Sequence, residues 1–262
     1  MAQQAQVSTQ QPLPQEAYSS ADLYHLGQPL AAYRVTYRSS ITVGIICLPL
    51  AALFVAVVIS GETSGFSIVF MLLLALLCLA AAAYYLVGYP LRYRSWRIYG
   101  CADGFVLLKG TDAIPCRWDQ IAFVWQRVVR YYRNGVYAGT SFKYTVQRAD
   151  GVQIIVTQIF RNGNELGNRI QREATSRLAP QAFAAVQRGQ TLPFGRFSLS
   201  RQGLTTPRGM FPWREVREVS AQSGLVMIRR GDQRKGTSFG KVDKIPNLHV
   251  FLRVAEMLIE RR

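Results

Sequence analysis

The chain has 262 residues, 49% of them hydrophobic, and carries 31 Lys and Arg against 15 Asp and Glu, a formal net charge of +16. That size and apolar fraction allow more than one core, and the charge excludes a typical acidic cytosolic enzyme while favouring anionic partners: lipid headgroups, nucleic acid or an acidic protein. Four cysteines without close pairing and two histidines indicate neither a disulfide framework nor a histidine-based metal cluster.

Residues 1–22 are rich in Gln, Ala, Ser and Pro, lack apolar periodicity, and read as a disordered tail. The extreme N-terminus has no Lys or Arg and no early apolar core, so no signal peptide is expected. Residues 23–91 read as a juxtamembrane segment and a transmembrane hairpin. Two apolar runs, 41–60 and 68–87, contain no charged residue, and each has about the 20 residues that a helix needs to cross a bilayer core. Only "GETSGFS" separates them, which forces an antiparallel pair. Pro49 is expected to kink the first helix. Arg34 and Arg38 precede the first run, Arg92, Arg94 and Arg97 follow the second, and the link has Glu62 but no Lys or Arg. The positive-inside rule then puts both termini in the cytoplasm of a multi-pass plasma-membrane protein. Tyr33, Tyr37, Tyr84, Tyr85, Tyr89 and Trp96 fall where an aromatic belt is expected.

The rest reads first as strands. "SFKYTVQRADGVQIIVTQ" alternates apolar and polar residues on either side of Asp150-Gly151, a strong hairpin signal. Asn134-Gly135 is a second such signal. After Phe160 the period lengthens: Asn164 is the expected cap of a helix carrying Leu166, Ile170, Ala174 and Leu178 on one face, interrupted at Pro180. Short strands return, with turns at Gln202-Gly203 and Ser223-Gly224. A last amphipathic helix follows Asn247, with Leu248, Phe251, Leu252, Ala255, Leu258 and Ile259 as its stripe.

"IPCRWDQI" at 114–121 is echoed by "MFPWREV" at 210–216. With Trp118 set beside Trp213, Gly104 sits near Gly203, the Asn134-Gly135 turn near Ser223-Gly224, and the expected helix cap Asn164 near Asn247. The expected fold class is α+β: the helical hairpin, then two tandem antiparallel β-meander modules, 92–188 and 190–262, each closed by a C-terminal helix that covers the apolar face of its meander. Trp118 and Trp213 are expected in the two cores. With "LYHLGQPLAAYR", "ADGVQIIV", "LPFGRFSLSRQGL" and "IPNLHVFL", the chain resembles an uncharacterised bacterial family of two-helix membrane proteins with pleckstrin-homology-like cytoplasmic modules. The resemblance spans about residues 23–260 and implies a domain of unknown function, without an activity.

No catalytic constellation emerges. "GTSFG" at 236–240 matches a nucleophile pattern, but Ser238 falls in strand-like text without the strand-to-helix elbow that chemistry needs. "GDQRKGT" has the wrong order for a phosphate loop. No cofactor, metal ligand or catalytic residue is assigned, and the expectation is that the protein is not an enzyme. Two basic groups stand out: Arg229, Arg230, Arg234 and Lys235 at one strand end, and Arg127, Arg130 and Arg133 interleaved with Tyr131 and Tyr132. In pleckstrin-homology-like folds such loops often hold anionic headgroups. These seven residues are the candidate contacts to anionic membrane lipid or to a protein partner at the cytoplasmic face; nucleic acid ranks last. The competing expectations are a membrane-tethered enzyme with an unrecognised site and an accessory subunit of a membrane complex.

Overall fold

The computed structural model describes residues 13–61, 65–133, 135–231 and 236–261. Helix α1 (Gln15–Leu23) stands where a disordered tail was expected. Ala17 and Ala21, one turn apart, are buried against Leu26, Tyr99, Cys101, Val106 and Leu108. Small side chains at i and i+4 let the helix lie close to a sheet face, and contacts distant in sequence stabilise a segment that carries little apolar signal of its own.

Strand β1 (Pro29–Arg34) precedes the apolar hairpin, yet it pairs antiparallel with β2 (Trp96–Cys101), which follows it, with Arg34 opposite Arg97. The boundary expected at residue 92 is therefore corrected: the first sheet begins before the hairpin, and the hairpin is an insertion between its first two strands. Closing a long connection costs only logarithmically more than closing a short one. An inserted helical pair whose ends lie close together is thus compatible with the pairing.

The insertion consists of α2 (Arg38–Ile59) and α3 (Gly65–Ala83). The latter continues through a π-helical turn (Tyr84–Gly88) into α4 (Tyr89–Tyr93). Both spans are long and apolar enough to cross a membrane. Pro49 lies inside α2 without ending it. Small residues line the helix–helix contact: Ser40, Gly44 and Ala51 are buried on α2, Ala75 and Ala82 on α3. A Cβ at Gly44 would run into Leu86. Ser40 Oγ donates to the Tyr85 carbonyl at 2.6 Å, inside the π-helical turn, where the wider hydrogen-bond spacing disturbs the ordinary helical ladder.

β3 (Gly104–Lys109) and β4 (Asp112–Arg117) complete a four-stranded sheet in the order β1-β2-β3-β4. A 3₁₀ turn (Trp118–Gln120) leads to a three-stranded sheet of β5 (Ile121–Arg133), β6 (Val136–Arg148) and β7 (Gln153–Thr157), and helix α5 (Gly163–Gln187) follows. The second half has the same order. A four-stranded sheet of β8 (Leu192–Phe194), β9 (Phe197–Leu199), β10 (Gly203–Thr206) and β11 (Gly209–Pro212) leads through a 3₁₀ turn (Trp213–Glu215) to β12 (Val216–Gln222), β13 (Leu225–Arg230) and β14 (Thr237–Lys241). A further 3₁₀ turn (Val242–Lys244) and helix α6 (Leu248–Glu260) close it.

The two halves correspond at single atoms. Trp118 Nε1 donates to the Ala102 carbonyl at 2.8 Å, and Trp213 Nε1 donates to the Ser200 carbonyl at 2.9 Å. A Cβ on Gly104 would strike the Cys116 carbonyl oxygen, and one on Gly203 would strike that of Phe211. In each half the struck carbonyl lies two residues before the Trp, so a side chain at either glycine would displace the indole's own strand. Asn162 and Asn247 both adopt left-handed backbone at the start of a closing helix, and neither side chain caps that helix. The position before the helix, expected at Asn164, is thus corrected to Asn162, without a side-chain cap. Asn164 Oδ1 instead accepts from the Tyr144 hydroxyl at 2.9 Å.

One core holds Ile98, Phe105, Trp118, Tyr144, Val146, Ile154 and Leu166; the other holds Phe197, Leu204, Trp213, Val226, Ile228, Phe251 and Val254. Helix α5 belongs to both: Leu166, Ile170 and Ala174 enter the first, Ala179 and Val186 the second. The interruption expected at Pro180 does not occur. Pro180 is exposed, so the helical hydrogen bond it lacks is lost on the solvent side, where that loss costs least. Asn247 joins the halves directly. Its backbone N–H donates to the Val124 carbonyl at 2.8 Å, its Oδ1 accepts from the Val124 N–H at 2.8 Å, and its Nδ2 donates to the Ala122 carbonyl at 2.8 Å. The side chain thus acts as an extra strand residue on β5.

Candidate functional site

Strands β5 and β6 are both 13 residues long, whereas β7 has only five. β7 pairs with Lys143 to Gln147, so the other end of the β5–β6 hairpin projects as a two-stranded arm. From Phe142 to Val136 it extends roughly 20 Å at about 3.3 Å per residue. Its direction follows from the register. Thr157 lies opposite Lys143, so the C-terminal end of β7 points towards the arm's tip. Beyond it, Gln158 accepts from Ser141 Oγ at 2.7 Å, Phe160 bridges to Val35, and Thr36 N–H donates to the Ile159 carbonyl at 2.7 Å. The chain starts α2 two residues later, so the arm leaves the first module at the end where the apolar hairpin leaves it.

The arm exposes Val128, Tyr131, Val136 and Tyr137. At its base, in the last row still paired with β7, Arg127 stands directly opposite Lys143, both exposed and neither in an ion pair among the described residues. Like charges directly opposed on a sheet repel, and a bound anion would relieve that repulsion. Arg130 and Arg133 lie on the same strand, opposite Thr140 and Val136.

The second expected group is arranged differently. Arg229 and Arg230 end β13 and are half-buried rather than free. The Arg229 guanidinium pairs with Glu218 on the neighbouring strand. Arg230 stacks over the Phe211 ring at 4.5 Å. Arg234 and Lys235 lie outside the described residues. Ser238 is the second residue of β14, opposite Met227, and so lacks the elbow geometry of an activated nucleophile. No group of three or more His, Cys, Asp or Glu residues converges among the described residues.

Sequence reasoning missed a groove of about 570 Å³ between α5 and α6, lined by residues including Gln171, Arg172, Thr175, His249, Arg253 and Met257. Beside it His249 Nε2 lies 3.4 Å from Gln126 Nε2, and Gln171 donates to Gln126 Oε1. His249 is exposed at the groove, and the partial desolvation of its ring by the neighbouring helix lowers its pKa below the ordinary histidine value, because removing an imidazolium from water disfavours the charged form. The signal available in sequence was a histidine beside the apolar stripe at the start of the last helix, but only the packing of α6 on α5 says what it faces.

No curated protein and no solved structure matches the chain. Residues 1–261 match the Family of unknown function (DUF6585), and the match covers the hairpin, both pairs of sheets and both closing helices. The chain therefore belongs to that family of unknown function.

Proposed function

We infer that the protein is a membrane-anchored binding protein of the cytoplasmic face, in which two tandem pleckstrin-homology-like modules sit against the bilayer and the β5–β6 arm meets anionic headgroups. The observation that carries this reading is the insertion of the apolar hairpin between β1 and β2. A module interrupted by its own membrane anchor cannot leave the headgroup region, and its arm projects from the same end. The arginines that flank both spans, with none in the link, favour a cytoplasmic location for both termini. Lipid attraction worth about 1 kcal/mol per Lys or Arg near the surface gives Arg127, Lys143, Arg130 and Arg133 their role. The pairing of Arg229 with Glu218 and the stacking of Arg230 on Phe211 make the second basic group the weaker contact.

A soluble fragment beginning near residue 92 would lack β1 and α1, so it is the wrong test. Opposed strands lie about 5 Å apart, so a short Gly-Ser linker can replace residues 36–95. This hairpin-free variant should float with anionic vesicles and not with neutral ones, less so as salt is raised, and Arg127→Ser with Lys143→Ser should weaken flotation. Equal flotation by the doubly substituted variant, or none with either vesicle, would turn the reading towards a protein partner.

A further inference from the structure

The register that brings β1 and β2 together also brings together charges that sequence places 60 residues apart. Arg34, the last residue of β1, stands opposite Arg97, and Arg94 follows α4, the end of the second apolar span. These three guanidinium-bearing residues, with Tyr37, Trp96 and Pro14, line a pocket of about 270 Å³ at the base of the hairpin. Two observations define its character. Arg34 and Arg94 are exposed and have no carboxylate partner among the described residues. Arg97 is already engaged: its guanidinium pairs with Glu16 of α1, and Glu16 also accepts from the Tyr99 hydroxyl at 3.0 Å. Three arginines against one carboxylate leave two positive charges uncompensated.

We propose that this pocket binds the phosphate group of an anionic phospholipid from the leaflet in which the two spans end. Guanidinium groups match phosphate oxygens with paired, charge-assisted hydrogen bonds. The aromatic side chains of Tyr37 and Trp96 suit the headgroup level, where one end of a ring is apolar and the other wet. A basic pocket at the cytoplasmic end of membrane helices is the arrangement that holds acidic headgroups. Glu16 acts as a competing anion at Arg97, so α1 limits how strongly the pocket is occupied. This inference rests on the reading that the hairpin spans a bilayer.

The test uses the full chain reconstituted into lipid nanodiscs containing phosphatidylglycerol and phosphatidylcholine, with the lipids retained after mild delipidation identified by native mass spectrometry. The wild type should retain phosphatidylglycerol. Arg34→Ala with Arg94→Ala should lower that retention about 30-fold, the worth of two surface arginines. Arg38→Ala with Arg92→Ala removes the same charge outside the pocket and should lower retention clearly less, and Glu16→Gln should raise it severalfold by freeing Arg97. Equal losses in the two double variants would reduce the site to general charge attraction and overturn the proposal. Displacement of the lipid by excess inorganic phosphate would identify a free phosphate as the ligand and overturn the lipid assignment. Failure of the wild type to enter nanodiscs would sink the membrane reading itself, whereas entry without phosphatidylglycerol retention would sink only the pocket.

Discussion

Single residues hold this fold at points where backbone geometry leaves no alternative. Trp118 and Trp213 are almost fully buried, and each indole satisfies a carbonyl of its own half. Replacing either by Ala should cost about 3–5 kcal/mol, read as a loss of unfolding free energy in mild detergent. Asn247→Ala should cost about 2–4 kcal/mol in the same measurement, because it leaves the Val124 N–H and the Ala122 carbonyl without their partners and keeps a strained positive φ. Asn247→Asp retains an acceptor for Val124 and should lose less. Burial pushes the Cys116 thiol up to about 12, so it should resist an alkylating reagent at pH 8 in the folded protein and react once the chain unfolds. Partial desolvation lowers the folded-state pKa of His249 relative to its unfolded value, so the unfolded state takes up the proton first as pH falls, with an effect that the ring's exposure keeps small. The stability contributed by neutral His249 is therefore complete above about 6.5, the unfolded value, and is lost as pH falls towards the lowered folded value. His249→Gln should flatten that part of a stability profile measured between about pH 7.5 and 5.

Elements here are placed by contacts that their own sequences announce unevenly. The two apolar spans were legible because length and lack of charge suffice to define them. A cysteine placed at Thr63 in the link, which lies outside the described residues, should react with an impermeant thiol reagent applied to intact cells. Reaction only after lysis would reverse the orientation. The native cysteines should stay silent in that assay, since Cys47 and Cys78 lie in the spans and Cys101 and Cys116 are buried. The strands of the β5–β6 and β6–β7 hairpins were legible from alternation and from turn dipeptides. Helix α1 was not, because two buried alanines in nine residues leave no periodic stripe. Nor was the continuity of α5 through Pro180, which depends on the proline's facing solvent.

At the scale of the whole molecule, α5 is shared between two cores, so the two halves are mechanically joined rather than strung together. One cooperative unfolding transition is expected for the part outside the apolar hairpin, and protease digestion that removed residues 190–262 while leaving the first half intact would contradict it. Sequence by itself determined the hairpin, the alternating strands, the correspondence of Trp118 with Trp213 and the uneven charge, since each depends on residues close in the chain or on composition. Tertiary structure alone decided that β1 belongs with β2 across the inserted apolar hairpin, that Arg34, Arg94 and Arg97 converge at its base, and that Arg229 and Arg230 are engaged by Glu218 and Phe211. Strand pairing across 60 residues leaves no local trace, because its energy lies in backbone hydrogen bonds that any residue but proline can make, and only the folded register says which side chains it brings face to face.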